Sequence, residues 1–229
     1  MKKLDQFRQQ VERAWLDVGM KPNMSDTSVK CFRDIFTRHV SANRHLAQIA
    51  ESSEEIDFIR NNAYSHPLGF RKYTLFHSDV LGGTLRFHVW GSSATALQTE
   101  DAHTHRWSFY SVVLLGCMKF EEYALSREGL ATECFSCSEN VDGKYDLVGK
   151  GTRRIHPIQM HEIHSGAAYC FSNSQIHRVM PSKCLTKTLV LQLDTKNRSS
   201  QVYRSKEINN NKIKKLISIS TTAHDLCVY

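Results

Sequence analysis

The spacing of apolar residues changes once along this chain, and that change restricts the fold more than any other feature. Up to about residue 62 the apolar positions fall three and four apart, and Leu4, Phe7, Val11, Ala14 and Val18 form one stripe, the period of an amphipathic helix. Gly19 offers a natural end to it. A second stripe through Val29, Phe32, Ile35, Phe36 and Val40 runs on toward Leu46 and Ile49, and Ser52 followed by Glu55 reads as a capping box ahead of Ile56, Phe58 and Ile59. From about residue 68 the period drops to two. Leu85, Phe87 and Val89 alternate with Thr84, Arg86, His88 and Trp90, which gives a strand one apolar face. Segments 107–115, 118–124, 167–171, 176–180 and 186–194 are strand-like too, separated by turn signals at Gly116, Asp142-Gly143, Ser165-Gly166 and Pro181-Ser182. A helical lead followed by many short strands predicts a mainly β barrel or sandwich. The expected division is a helical extension over 1–62, a barrel over 63–200 and a poorly anchored tail over 201–229. In that tail Asn209 to Asn211 precede a lysine-rich run, and the strand-like piece Leu216 to Ile219 has no evident place.

At 229 residues with 41% hydrophobic and 23% charged positions, the chain has the balance of a globular protein with one core. No apolar run approaches the ~20 residues that cross a bilayer, and the basic start lacks the apolar stretch of a secretory signal; a cytoplasmic location is expected. Seven cysteines at irregular spacing argue for reduced thiols. Cys134 and Cys137 form a lone C-x-x-C, half of a structural zinc site, and read as ordinary thiols of a loop or hairpin. The net charge of +7 is scattered, with one dense cluster at Lys212, Lys214 and Lys215. No phosphate loop or helix-turn-helix accompanies it, so a nucleic-acid partner is not expected.

Twelve histidines are present, and their placement matters more than their number. His103 and His105 stand one residue apart at the entry to a strand, so both imidazoles leave one face and can meet one ion. His177 opens an apolar strand after a short turn and is the candidate third ligand. His156, His161 and His164 follow intervals of five and three that do not match the strand period. They read as a loop near a cavity mouth and not as a second metal site.

The stretch Asp101-Ala102-His103-Thr104-His105-Arg106-Trp107-Ser108-Phe109, continued by Val112 to Gly116, resembles the first motif of the cupin superfamily, and Gly166 through Tyr169 to His177 resembles the second. The two stretches and the strands between them cover roughly 84–194, about half the chain. The resemblance implies a double-stranded β-helix, or jelly-roll barrel, carrying the N-terminal helices as an extension. Many cupins place a glutamate four or five residues after the second histidine; here those positions hold Phe109 and Tyr110. A three-histidine site follows, and among cupins it is similar to the thiol dioxygenases, cysteine dioxygenase among them, as is the run Gly116, Lys119, Glu121, Glu122. The cysteine which that enzyme cross-links to a tyrosine has no counterpart near Phe109, whereas Tyr169 takes a place comparable to the tyrosine.

Three neutral imidazoles leave a divalent ion its full charge and open positions, which suits ferrous iron binding an anionic substrate and dioxygen; zinc, manganese and nickel accept the same donors. Arg86 and His88 share a strand face with Trp90. If that face points inward, the arginine fork can hold a substrate carboxylate; if it points outward, it is barrel exterior. Tyr110, Tyr169 and Gln192 are candidates for hydrogen bonds to substrate or oxygen, and Trp107 for a pocket wall or substrate contact. The function expected is a mononuclear non-haem iron dioxygenase acting on a small thiol, amino acid or carboxylate. A zinc- or manganese-dependent isomerase, lyase or hydrolase and a non-catalytic ligand-binding barrel stay open. Pairing of barrels into a homodimer, frequent in cupins, is compatible with either.

Overall fold

The computed structural model describes residues 2–66, 70–91, 100–139, 145–180, 184–194, 197–204 and 219–227. The turn signals Asp142-Gly143 and Pro181-Ser182, the lysine cluster, and Leu216 to Ser218 lie outside them.

The helical lead forms α1 (Lys3–Asp17), α2 (Asp26–Asp34), a π-helical turn (Ile35–His39), α3 (Ala42–Ala50) and α4 (Ser53–Asn61). Gly19 follows α1 with φ +59°, a left-handed position that glycine adopts without strain. The second stripe is not one helix. The π turn and Ser41 at φ +49° rotate the chain, so that Phe32, Ile35 and Phe36 before the break and Leu46 and Ile49 after it are all buried. The expected capping box at Ser52 is also absent, since the Ser52 side chain caps nothing. Glu55, 3% exposed, instead accepts the amide of Leu4 at 2.6 Å, satisfying a donor that the first turn of α1 cannot pair internally.

The strands are β1 (Ala63–Ser65), β2 (Arg71–Ser78), β3 (Gly83–Trp90), β4 (Ala102–His103), β5 (Phe109–Leu115), β6 (Cys117–Glu139), β7 (Tyr145–His164), β8 (Ala168–Phe171), β9 (Ile176–Val179), β10 (Thr186–Leu193) and β11 (Ser200–Arg204). One sheet runs β1-β2-β3-β10-β5-β8 and the other β11-β4-β9-β6-β7, and every strand pair is antiparallel. From β3 to β10 the chain crosses between sheets at each step except the β6–β7 hairpin, so that β3, β10, β5 and β8 face β4, β9, β6 and β7. That order is the double-stranded β-helix of the cupin type. Gly116, at φ +79°, makes the corner between β5 and β6, where a Cβ would stand 2.3 Å from the Leu185 carbonyl oxygen.

Period two sorts the residues of the first sheet between two cores. Leu85, Phe87 and Val89 of β3, Tyr110, Val112 and Leu114 of β5, and Leu189 and Leu191 of β10 pack outward against Phe7, Phe32, Ile35 and Leu46. Each such side chain contributes about 1.5–3 kcal/mol on burial, and this docks the helices on the barrel. The intervening residues Phe109, Val113, Phe171 and Val190 face inward, with Met118 and Phe120 of the second sheet.

The segment after 200 is better anchored than its composition suggests. β11 pairs with both β4 and β6. A helix α5 (Ile219–Leu226) packs on α3 and α4, with Thr222, Asp225 and Leu226 buried. Asp225 receives hydrogen bonds from the Arg71 guanidinium and the Tyr73 hydroxyl. The Lys187 ammonium, on buried β10, donates to the carbonyls of His224 and Cys227 at the end of α5. The end of this eight-residue helix is thus tied to the sheet by charged groups. Ile219, expected in a strand-like piece, is the first residue of α5.

Candidate metal centre

β4 is only two residues long, and the sequence expectation of a histidine pair entering a strand needs correcting: His103 ends β4 and His105 stands in the following loop. β11 fixes that loop. Thr104 donates its amide to the Gln201 carbonyl at 2.9 Å, and the Gln201 amide donates to Thr104 Oγ1 at 2.8 Å. Arg204 adds an ion pair to Asp101 at 3.0 Å. His177 on β9 is the register partner of His103, which turns both side chains to the same face.

The three imidazoles converge. Their ring centroids lie 4.8, 4.9 and 5.0 Å apart, nearly an equilateral triangle, and one ligating nitrogen of each falls within 4.8 Å of the others. Nε2 of His105 and Nε2 of His177 are 3.3 Å apart; two nitrogens each about 2.1 Å from one ion and near tetrahedral angles stand roughly 3.4 Å apart. The backbone sets the tautomers. His103 Nδ1 donates to the Asp101 carbonyl at 3.0 Å and His177 Nδ1 to the Gln175 carbonyl at 3.4 Å. A carbonyl only accepts, so both Nε2 lone pairs point at the shared point. Burial first, and then the His103 imidazole, hold His105 and His177 well below the ordinary histidine pKa, so both are neutral donors at pH 7. A divalent cation fits this donor set; among the described residues no carboxylate oxygen joins the cluster. Glu100 stands behind His103, its Oε1 3.6 Å from Nδ1 and its Oε2 accepting the Val179 amide at 2.7 Å.

Aromatic rings wall the site. Trp107 stacks on His105 at 4.4 Å and 21°, Phe171 stacks on His177 at 4.0 Å and 10°, and Phe109 meets His105 edge-on at 5.1 Å. Tyr169 lies in the same inner cluster against Phe109, Phe120 and Phe171. Its hydroxyl is pushed up to about 12, chiefly by burial, and is a neutral donor across the physiological range. Tyr110 is different. It occupies the opposite face of β5, stacks on Phe32 and accepts the Met24 amide at 3.0 Å; its side chain belongs to the helix-docking core, and its expected place at the site is corrected.

Because Leu85, Phe87 and Val89 point to the helices, Arg86, His88 and Trp90 point into the barrel, which settles the orientation left open by the sequence. Their neighbours on the inner face include Thr188 and Gln192 of β10. His88 Nε2, Trp90 Nε1, Thr188 Oγ1 and Gln192 Oε1 are buried and have no hydrogen-bond partner among the described residues, and such groups are costly unless a ligand or solvent satisfies them. Burial, with help from Lys72 and Arg86, keeps His88 neutral. Lys72 is a site residue that the sequence reading missed. It lies on β2 opposite His88, is 7% exposed, and holds its ammonium 5.7 Å from the Trp107 ring. The alternation of Lys72 and Thr74 with Tyr73 and Leu75 was the available signal.

No protein-family model and no curated protein matches the sequence. Among solved structures, the chain aligns with an oxalate oxidase (TM-score 0.33, 13% identity, 59% of this chain and 56% of that one). It aligns also with hydroxypropylphosphonic acid epoxidase from S. wedmorenis (0.32, 8%, 54% and 50%) and with a hydroquinone 1,2-dioxygenase in complex with Cd2+ and 4-hydroxybenzonitrile (0.32, 13%, 54% and 64%). The chain spans 56% of the length of the oxalate oxidase and 50% of that of the epoxidase. The strand order, independently of these alignments, makes the protein a cupin-type jelly-roll barrel with an N-terminal helical extension, its inner face carrying a histidine triad.

Proposed function

We propose that the protein is a mononuclear non-haem iron oxygenase whose metal is held by His103, His105 and His177 and whose substrate is a small anionic molecule of the thiol, amino acid or carboxylate class. The observation that carries the reading is the convergence of three imidazoles beside a barrel wall that holds the buried Lys72 and unsatisfied polar groups. Ferrous iron in such a donor set would supply a redox-active Lewis acid with positions left for substrate and dioxygen.

The chain's own residues do the rest. The Asp101 and Gln175 carbonyls orient the ligands. Lys72 and Arg86 bring positive charge to the inner face, favouring an anionic group there. His88 and Gln192 add a neutral imidazole and an amide with hydrogen-bonding capacity to spare. Trp107, Phe109 and Phe171 exclude water from the imidazoles, which strengthens each electrostatic contact. Tyr169, beside Ser111 on the inner face, keeps its proton.

The test is anaerobic loading with Fe(II), followed by oxygen-uptake measurements with a panel of thiols, amino acids and carboxylates. Uptake with one class that disappears in His177→Ala supports the reading. Turnover supported by zinc or manganese without oxygen consumption refutes it in favour of an isomerase, lyase or hydrolase.

A further inference from the structure

At the Gly116 corner of the barrel, where β6 begins and β7 ends, a second set of donors comes together. Cys117 opens β6 and His164 ends β7 as its register partner, while Lys119 and Glu162 form the next pair on that side. Cys117 Sγ lies 3.4 Å from Glu162 Oε1, and His164 Nε2 lies 3.7 Å from the same oxygen. The three ligating atoms fall within 4.8 Å of one another. Sulfur at about 2.3 Å and oxygen or nitrogen at about 2.0 Å from a tetrahedral ion stand roughly 3.3–3.5 Å apart, against the 3.4 and 3.7 Å from the carboxylate oxygen to the sulfur and the imidazole.

The carboxylate is already oriented. Its other oxygen, Oε2, is bound by the Lys119 ammonium at 2.9 Å, which leaves Oε1 turned to the thiol and the imidazole, as outer partners orient ligating carboxylates. Hydrogen bonds from β10 hold the backbone beneath. Thr186 Oγ1 donates to the Cys117 carbonyl at 2.8 Å and accepts the Cys117 amide at 3.2 Å. The site is open to solvent, so a solvent molecule can complete four-coordination.

We propose that Cys117, Glu162 and His164 form a second divalent-metal site, of the zinc class, on the outside of the barrel. A thiolate, a carboxylate and an imidazole balance a doubly charged cation, and the sulfur selects a softer ion than the three nitrogens inside. Lys119 is its positioning residue. The site is independent of the histidine triad and of the reaction proposed for it.

The experiment uses the full chain stripped of metal and titrated with Co(II), read by absorbance and by metal content. A thiolate-to-cobalt charge-transfer band can arise only where sulfur is a ligand, so it reports this site and not the triad. Two cobalt equivalents per chain are expected, one of them accompanied by the band. Cys117→Ser and His164→Ala, with circular dichroism unchanged, lose the band and one equivalent. Lys119→Met weakens that equivalent by roughly tenfold, and His177→Ala keeps the band while losing the other. Absence of the band in the native chain, or its survival in Cys117→Ser, overturns the proposal. A single equivalent that carries the band would uphold this site and count against the triad instead.

Discussion

Replacing Asp225 with alanine tests how the C-terminal helix is held. Its carboxylate is 1% exposed and receives two guanidinium bonds from Arg71 and one from the Tyr73 hydroxyl. The variant leaves Arg71, about 30% exposed at its side chain, without its counter-charge. It also leaves the Tyr73 hydroxyl, in a fully buried side chain, without that acceptor. Breaking one side of a buried ion pair costs about 3–5 kcal/mol because the remaining charge stays desolvated. For a chain of this length each kcal/mol moves Tm by roughly 2–4 °C, so Asp225→Ala lowers it by about 6–20 °C in thermal denaturation followed by circular dichroism. Arg71→Met combined with Asp225→Ala then costs less than the sum of the two single changes. A loss below about 1 kcal/mol, or strict additivity in that double-mutant cycle, refutes the view that this pair clasps α5 to the sheet.

Glu55→Ala removes the acceptor for the Leu4 amide and lowers stability by about 1 kcal/mol, read as a shift of the urea midpoint without change of slope. His66 is half-buried, its ring stacked on Phe70, and desolvation lowers its pKa from 6.5 to about 3. The unfolded chain therefore takes the proton first, and stability falls as pH drops from about 6.5 toward 3. Between pH 7 and 5 the metal-free protein should lose about 2 kcal/mol more than His66→Phe does, measured by urea denaturation at both pH values. Trp107 stacks on a triad histidine, so a paramagnetic ion at the triad quenches its fluorescence. Trp107→Phe should remove most of that quenching, leaving the signals of Trp15 and Trp90.

The elements that the sequence disclosed are those with one dry face. β3 and β10 alternate cleanly because one side meets the helices and the other the barrel interior. The β6–β7 hairpin was only partly visible. Leu125, Leu130, Val148, Ile158 and Met160 are exposed there, so backbone hydrogen bonds hold the ladder and no burial pattern marks it. That concealed β7 beneath the histidine run 156–164, which is strand and not loop. It also concealed the meeting of His164 with Cys117, a matter of register between strands far apart in sequence. The missing capping box and the anchored C-terminus share a cause: Glu55 and Asp225 find partners at separations of 51 and 154 residues, which no local pattern reports. Tyr110 was misplaced by one step of the strand period, enough to move it from cavity to helix core.

The claim on which the account rests is that three imidazoles from two strands and a loop hold one ion. Anaerobic Fe(II) binding by the native chain and by His105→Ala, followed by metal content after desalting, tests it most directly. The account predicts that the variant, still folded by circular dichroism, retains one iron equivalent fewer than the native protein. Equal retention by the two proteins, or none by either, would contradict it.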